Sequence, residues 1–170
     1  THLGHSFPTR RSSDLAMDGY LDVAKKCVQV LIDVVFNDLK PATKTLLSAS
    51  WYIDDPMQQI IETLKDYMVE DYQTHLNPNL FDLLIEDIID TFLINYLVAV
   101  RRSPKLRIPN AVDRMRDDIN KAFDFFTLYK SRKELEPYFD VLESVLTLVS
   151  ASKMMVFLDV RPSPFSPYSH

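Results

Sequence analysis

The stretch NPNLFDLLIEDIIDTFLINYLVAVRR, residues 77–102, decides the fold. Asn77-Pro78 places a capping side chain beside a residue pre-set for the first helical turn, and no proline or glycine follows before Ser103. Two apolar stripes run through it at three-and-four spacing: Phe81, Leu84, Ile85, Ile88, Phe92, Tyr96 and Ala99, then Leu80, Leu83, Ile89, Leu93, Leu97 and Val100. A helix that is apolar on nearly every side belongs at the centre of a bundle. The uncharged run 91–100 is too short for the roughly 20 residues that span a bilayer, and Asp82, Glu86, Asp87 and Asp90 interrupt the turns before it.

Working outward, the same punctuation recurs. Asp55-Pro56 opens a preceding helix that carries Ile60, Ile61, Leu64, Tyr67, Met68 and Tyr72 and ends near His75. Before it, Asp18 is expected to cap a helix reaching about Ser50, with Val23, Cys27, Val30, Leu31, Val34, Val35 and Leu39 as its buried stripe and a kink or break near Pro41. Trp51-Tyr52 at the joint reads as a core plug. Beyond the decisive stretch, Ile108-Pro109-Asn110 opens a helix to about Tyr129 with Val112, Met115, Ile119, Ala122, Phe123 and Phe126 inward. Ser131-Arg132-Lys133-Glu134 has capping-box spacing and starts another helix striped by Tyr138, Phe139, Leu142, Val145, Leu146 and Val149, with a sixth predicted to be capped by Ser152. No strand alternation and no fixed-period repeat is present. The expected fold is all-α, an elongated antiparallel helical bundle with short connections.

Both ends depart from this pattern. Residues 5–15, HSFPTRRSSDL, resemble a translated sequencing adapter, so 1–15 are expected to be an artefactual, disordered extension. Residues 160–170 are rich in proline and serine and are expected to be disordered, which leaves 16–159 as the helical unit and His75 as its one histidine. No basic-apolar-small leader pattern is found.

Composition narrows the function. The chain has 170 residues, 46% hydrophobic and 25% charged, and a formal charge of −5. That balance argues against nucleic acid as the main partner. Cys27 is the single cysteine, which excludes an internal disulfide framework; in an apolar stripe it reads as a small core residue. No glycine follows Gly19, so the backbone lacks the devices that cradle phosphates and oxyanions. Glu86, Asp87 and Asp90, with Glu70 and Asp71, could suggest a carboxylate metal pair, but a di-iron bundle needs Glu-x-x-His on two helices and none occurs. Cys27 or a serine would need His75 as its base, and His75 stands at a helix end. No enzyme, cofactor or metal is expected. The candidate interaction surface is the basic connector Arg101, Arg102, Lys105 and Arg107, whose charges suit acidic proteins or lipids or the C-terminal dipole of the decisive helix.

Taken in order, Val35-Phe36-Asn37-Asp38-Leu39, Trp51-Tyr52, the run 60–67 (IIETLKDY), Asp71-Tyr72, Asn95-Tyr96-Leu97 with Arg101, Ala122-Phe123-Asp124-Phe125-Phe126, the run 135–143 (LEPYFDVLE) and Ala151-Ser152-Lys153 resemble the C-terminal region of the Sec-six subunit of the exocyst, in its fungal form. The resemblance covers residues 18–159 and implies a section of a helical rod in a longer, non-catalytic subunit. It further implies tethering of secretory vesicles at plasma-membrane sites of exocytosis from the cytoplasmic side. The implied partners are other exocyst subunits, SNARE proteins and a Sec/Munc-type regulator. The alternative is a peripheral membrane module acting on acidic lipids through the basic connector.

Overall fold

A computed structural model describes the backbone of residues 9–103, 106–107 and 110–158, and the side chains within 17–151 of those ranges. Helix α1 is Thr9–Thr45, followed by a 3-10 turn, Ser50–Tyr52. Helix α2, Pro56–Asp66, passes through a π-helical turn, Tyr67–Tyr72, into the short α3, Gln73–His75. Helices α4, Pro78–Arg102, α5, Asn110–Phe126, and α6, Arg132–Leu158, follow, and no strand occurs among the described residues.

The boundaries follow the punctuation. The Asp55 side chain accepts the Gln58 N–H at 3.2 Å, and the Asn77 side chain accepts the Asn79 N–H at 2.9 Å. Each is followed by proline at the start of its helix. Ser131 and Glu134 form the reciprocal capping box: the Ser131 N–H reaches Glu134 Oε2 at 2.9 Å, and the Glu134 N–H reaches Ser131 Oγ at 3.4 Å.

Three expectations need correction. Helix α1 begins at Thr9, inside the segment expected to be disordered, so Asp18 lies within the helix rather than at its cap; the sequence offers no proline between Thr9 and Lys40 to stop it. Residues 1–8 and 159–170 lie outside the described residues. Pro41 sits inside α1 and does not divide it, so of the two alternatives at this proline the break is excluded. The α1 stripe is rotated: Val35 and Leu39 are buried as expected, but Val28 and Ile32 join them, while Val23, Cys27, Val30 and Val34 face outward. Finally, α6 runs through Ser152 to Leu158, so no sixth helix starts there.

Helix pairs α1·α2, α2·α5, α5·α6, α6·α4 and α4·α1 pack together, which closes a ring of neighbours around one core. Tyr67 Oη donates to Asp38 at 2.5 Å and Tyr72 Oη to the Leu31 carbonyl at 3.2 Å, so α1 and the α2 segment run antiparallel. Lys130, just before α6, meets Asp82 and Glu86 near the start of α4, while Val141 lies beside Ile94 and Leu97 further along both, so α4 and α6 run parallel. Aromatic edges fill the middle, with ring centroids 5.7 Å apart for Phe92 and Phe126 and 5.1 Å apart for Phe123 and Phe139. Such edge-to-face contacts suit the ring quadrupoles. Eight α4 side chains are buried, from Leu84 to Ala99, as the apolar stretch requires.

Candidate interaction surfaces

The basic connector is tied down at both ends. Ser103 Oγ donates to the Leu47 carbonyl at 3.1 Å, and Arg102 Nη2 reaches the Thr43 carbonyl at 3.4 Å, joining the end of α4 to the end of α1. Across the connector, the Arg107 N–H donates to Tyr52 Oη at 2.9 Å and its guanidinium lies 5.5 Å from the Tyr52 ring centroid, within cation–π range. Arg101, Arg102 and Arg107 are all exposed; Arg101 is the one without a partner among the described residues, and Lys105 lies outside them. Two of the basic side chains therefore serve the fold as well as the surface.

Trp51 is the core plug that its place in the sequence suggests, with no exposed surface. Sequence reasoning missed its partner. Trp51 Nε1–H donates to Asp118 Oδ2 at 2.8 Å, and Tyr96 Oη–H donates to the same oxygen at 3.2 Å. Asp118 is fully buried, its Oδ1 has no hydrogen-bond partner among the described residues, and Arg114 lies close enough to favour its charge, with its guanidinium 5.7 Å from the Trp51 ring. Burial pushes the Asp118 carboxyl up to about 6, against the opposing pull of those two hydrogen bonds and Arg114. The signal was present: Asp118 falls on the inward face set by Met115, Ile119 and Ala122, where an acidic residue needs a partner.

The remaining candidates do not converge. Asp82 and Glu86 hold the Lys130 ammonium at 2.6 and 2.8 Å, with that side chain only 8% exposed, whereas Asp87 is held above the usual carboxylate range by burial and by Asp90 and Glu86. Glu70 and Asp71 sit on the π turn, exposed. Among the described residues no group of three His, Cys, Asp or Glu side chains could hold a metal ion. His75 packs its Nδ1 against the Asp71 carbonyl at 2.6 Å and Thr74 Oγ1 at 2.8 Å, at an exposed helix end. Cys27 is exposed, contrary to expectation, because the α1 stripe is rotated away from it.

Side chains displayed along long helix faces, rather than gathered around a point, define a helical scaffold. The comparisons with known proteins make the class specific: the family model "Exocyst complex component Sec6" matches residues 6–162, and the chain belongs to that family. It is 28% identical over 162 residues to exocyst complex component sec6 of Schizosaccharomyces pombe, covering 95% of this chain and 20% of that protein. It is 27% identical over 110 residues to exocyst complex component SEC6 of Saccharomyces cerevisiae, covering 65% of this chain and 13% of that one. The chain thus spans a fifth or less of the length of these relatives. No solved structure gives a match. No helix among the described residues is long and apolar enough to cross a membrane.

Proposed function

We propose that this chain is a non-catalytic section of an exocyst subunit, which works by protein–protein contact to tether secretory vesicles at the plasma membrane before fusion. The observation that carries the reading is the family match over residues 6–162, laid on an all-helical bundle whose polar side chains are spread along its faces. Other exocyst subunits are the first partners in this reading, with SNARE proteins and a Sec/Munc-type regulator further ones, met from the cytoplasmic side. Affinity in such a scaffold resides in a few anchors rather than in total area. Arg101, Arg102, Lys105 and Arg107 are the proposed charged contact for an acidic protein surface. The unit that does this work is taken to run from α1 to α6, within the matched residues 6–162.

The test is to tag the gene at its own chromosomal locus, purify the product and identify its companions by mass spectrometry. Recovery of other exocyst subunits with a product well above 19.7 kDa supports the reading. A product of this mass that purifies alone overturns it.

A further inference from the structure

On α4, Asp90, Ile94, Val98 and Arg101 follow one another at helical spacing on a single outward face. Ile94 is 61% exposed and Val98 is 47% exposed, high values in the most apolar helix of the molecule. Beside them, between α4 and α6, runs an apolar groove of about 340 Å³ lined by Leu93, Ile94, Leu97, Pro137, Tyr138 and Val141, with Asp90 at one end. Charges of opposite sign stand on α4 at the groove's start and beyond its far limit. Asp90, flanked by Asp87 and Glu86, closes the end nearer the start of α4, and Arg101 stands one helical turn beyond Leu97, past the lining but on the same outward face of α4. Neither Asp90 nor Arg101 has a hydrogen bond or ion pair among the described residues. At the rise of an α-helix they stand about three turns apart, roughly 17 Å along the axis.

We propose that the α4–α6 groove docks an amphipathic helix of a partner protein, lying antiparallel to α4, with apolar anchors over Ile94, Leu97 and Val141, a basic residue against Asp90 and an acidic residue against Arg101. A groove between two parallel helices accepts a third helix by ridge-into-groove packing, and about three turns of i, i+3, i+4, i+7 anchors fill its length. Charge complementarity fixes the direction. A free helix is best stabilised with acidic residues in its first turn and basic residues in its last. Laying that helix antiparallel to α4 brings its basic end to Asp90 and its acidic end to Arg101. An anionic lipid surface is the poorer occupant, because the acidic rim at Asp87 and Asp90 repels it. The assignment rests on the chain acting through protein contacts, and its test uses purified components, so it can fail without touching the family-level reading.

The experiment is fluorescence anisotropy of the full chain with a labelled synthetic helix of about 15 residues, carrying leucines at i, i+3, i+4 and i+7, glutamates in the first turn and lysines in the last. A scrambled peptide of equal composition is the control. The expected result is saturable binding of the patterned peptide alone, weakened at least tenfold by Ile94→Asp or Val141→Asp. The double variant Asp90→Lys with Arg101→Glu is expected to switch preference to a peptide whose charged ends are exchanged. Thermal unfolding followed by circular dichroism checks that each variant folds, and Asp90 and Arg101 are both exposed, outside the core. No binding, binding indifferent to Ile94→Asp, or no switch of preference overturns the proposal. A dimer in analytical ultracentrifugation that Ile94→Asp splits also overturns it, by making a second copy the occupant.

Discussion

At the scale of single residues, two side chains set the sharpest predictions. Asp118 is the acceptor for Trp51 and Tyr96, which come from elements far apart in sequence, so truncating it strands two buried donors. Asp118→Ala is expected to lower stability by about 1–3 kcal/mol in urea titrations, the cost of unsatisfied buried polar groups. Its pH dependence has the opposite sign to that of an ion-paired carboxylate. The folded-state value of about 6 exceeds the ordinary 3.8, so between these limits the native state binds more protons and stability falls as pH rises. The charged form therefore costs the fold about 3 kcal/mol once pH exceeds that folded-state value. Asp118→Asn keeps an acceptor for Trp51 and is expected to flatten that slope, read as the difference in urea midpoint between pH 4.5 and pH 7. Leu47 is the second case. Its φ of 59° lies in the left-handed region, and its side chain is buried. That conformation ordinarily falls to glycine, and the chain has none after Gly19. Leu47→Gly relieves about 1–2 kcal/mol of backbone strain but forfeits the burial and leaves a cavity. The expected outcome is net destabilisation by about 1–3 kcal/mol in the same titration.

At the scale of elements, caps and breaks weigh differently. The Ser131–Glu134 box was legible from four letters. Ser131→Ala is expected to cost about 0.5–2 kcal/mol. Pro41 shows the reverse. Tertiary packing of Val35 and Leu39 on one side and Leu46 on the other carries α1 across a residue that removes a backbone donor. Pro41 is exposed, so its replacement leaves the core undisturbed. Pro41→Ala is expected to restore the missing hydrogen bond and to stabilise the chain by about 1–3 kcal/mol, measured as a higher urea midpoint. The expected α1 stripe holds at Val35 and Leu39 and fails at Val23, Cys27, Val30 and Val34. Val23, Val30, Val34 and Cys27 obey helical spacing as well as Val28, Ile32, Val35 and Leu39 do, and spacing alone cannot say which of two interleaved faces turns inward. The π turn at Tyr67–Tyr72 left no mark in the sequence pattern. It keeps both Met68 and Tyr72 buried, with the Tyr67 and Tyr72 rings stacked at 5.7 Å.

At the scale of the whole molecule, one core runs through all the long helices, and the single tryptophan lies within it. Trp51 fluorescence and far-ultraviolet circular dichroism are therefore expected to report the same urea midpoint; separated transitions would divide the bundle into independent units. The basic connector belongs to this scale too. With Arg102 and Arg107 already engaged and a formal charge of −5, the chain is expected to stay unbound in flotation with anionic vesicles at physiological salt. Flotation that is abolished by reversing Arg101, Arg102, Lys105 and Arg107 would favour direct action on the membrane instead.

The helical class, the positions of α4 and the caps at Asp55, Asn77 and Ser131 follow from the sequence by itself, because proline geometry, capping chemistry and helical periodicity act between residues a few places apart. So does the family likeness, carried by short strings in a fixed order and matched over residues 6–162. Tertiary structure alone decided which stripe of α1 is buried, that Asp118 satisfies Trp51 and Tyr96, that Arg107 packs on Tyr52, and that Ile94 and Val141 share an open groove with Asp90 at one end. Each of these joins residues on different elements, and which faces meet is settled by the packing of the whole core, where burial and pairing are determined together.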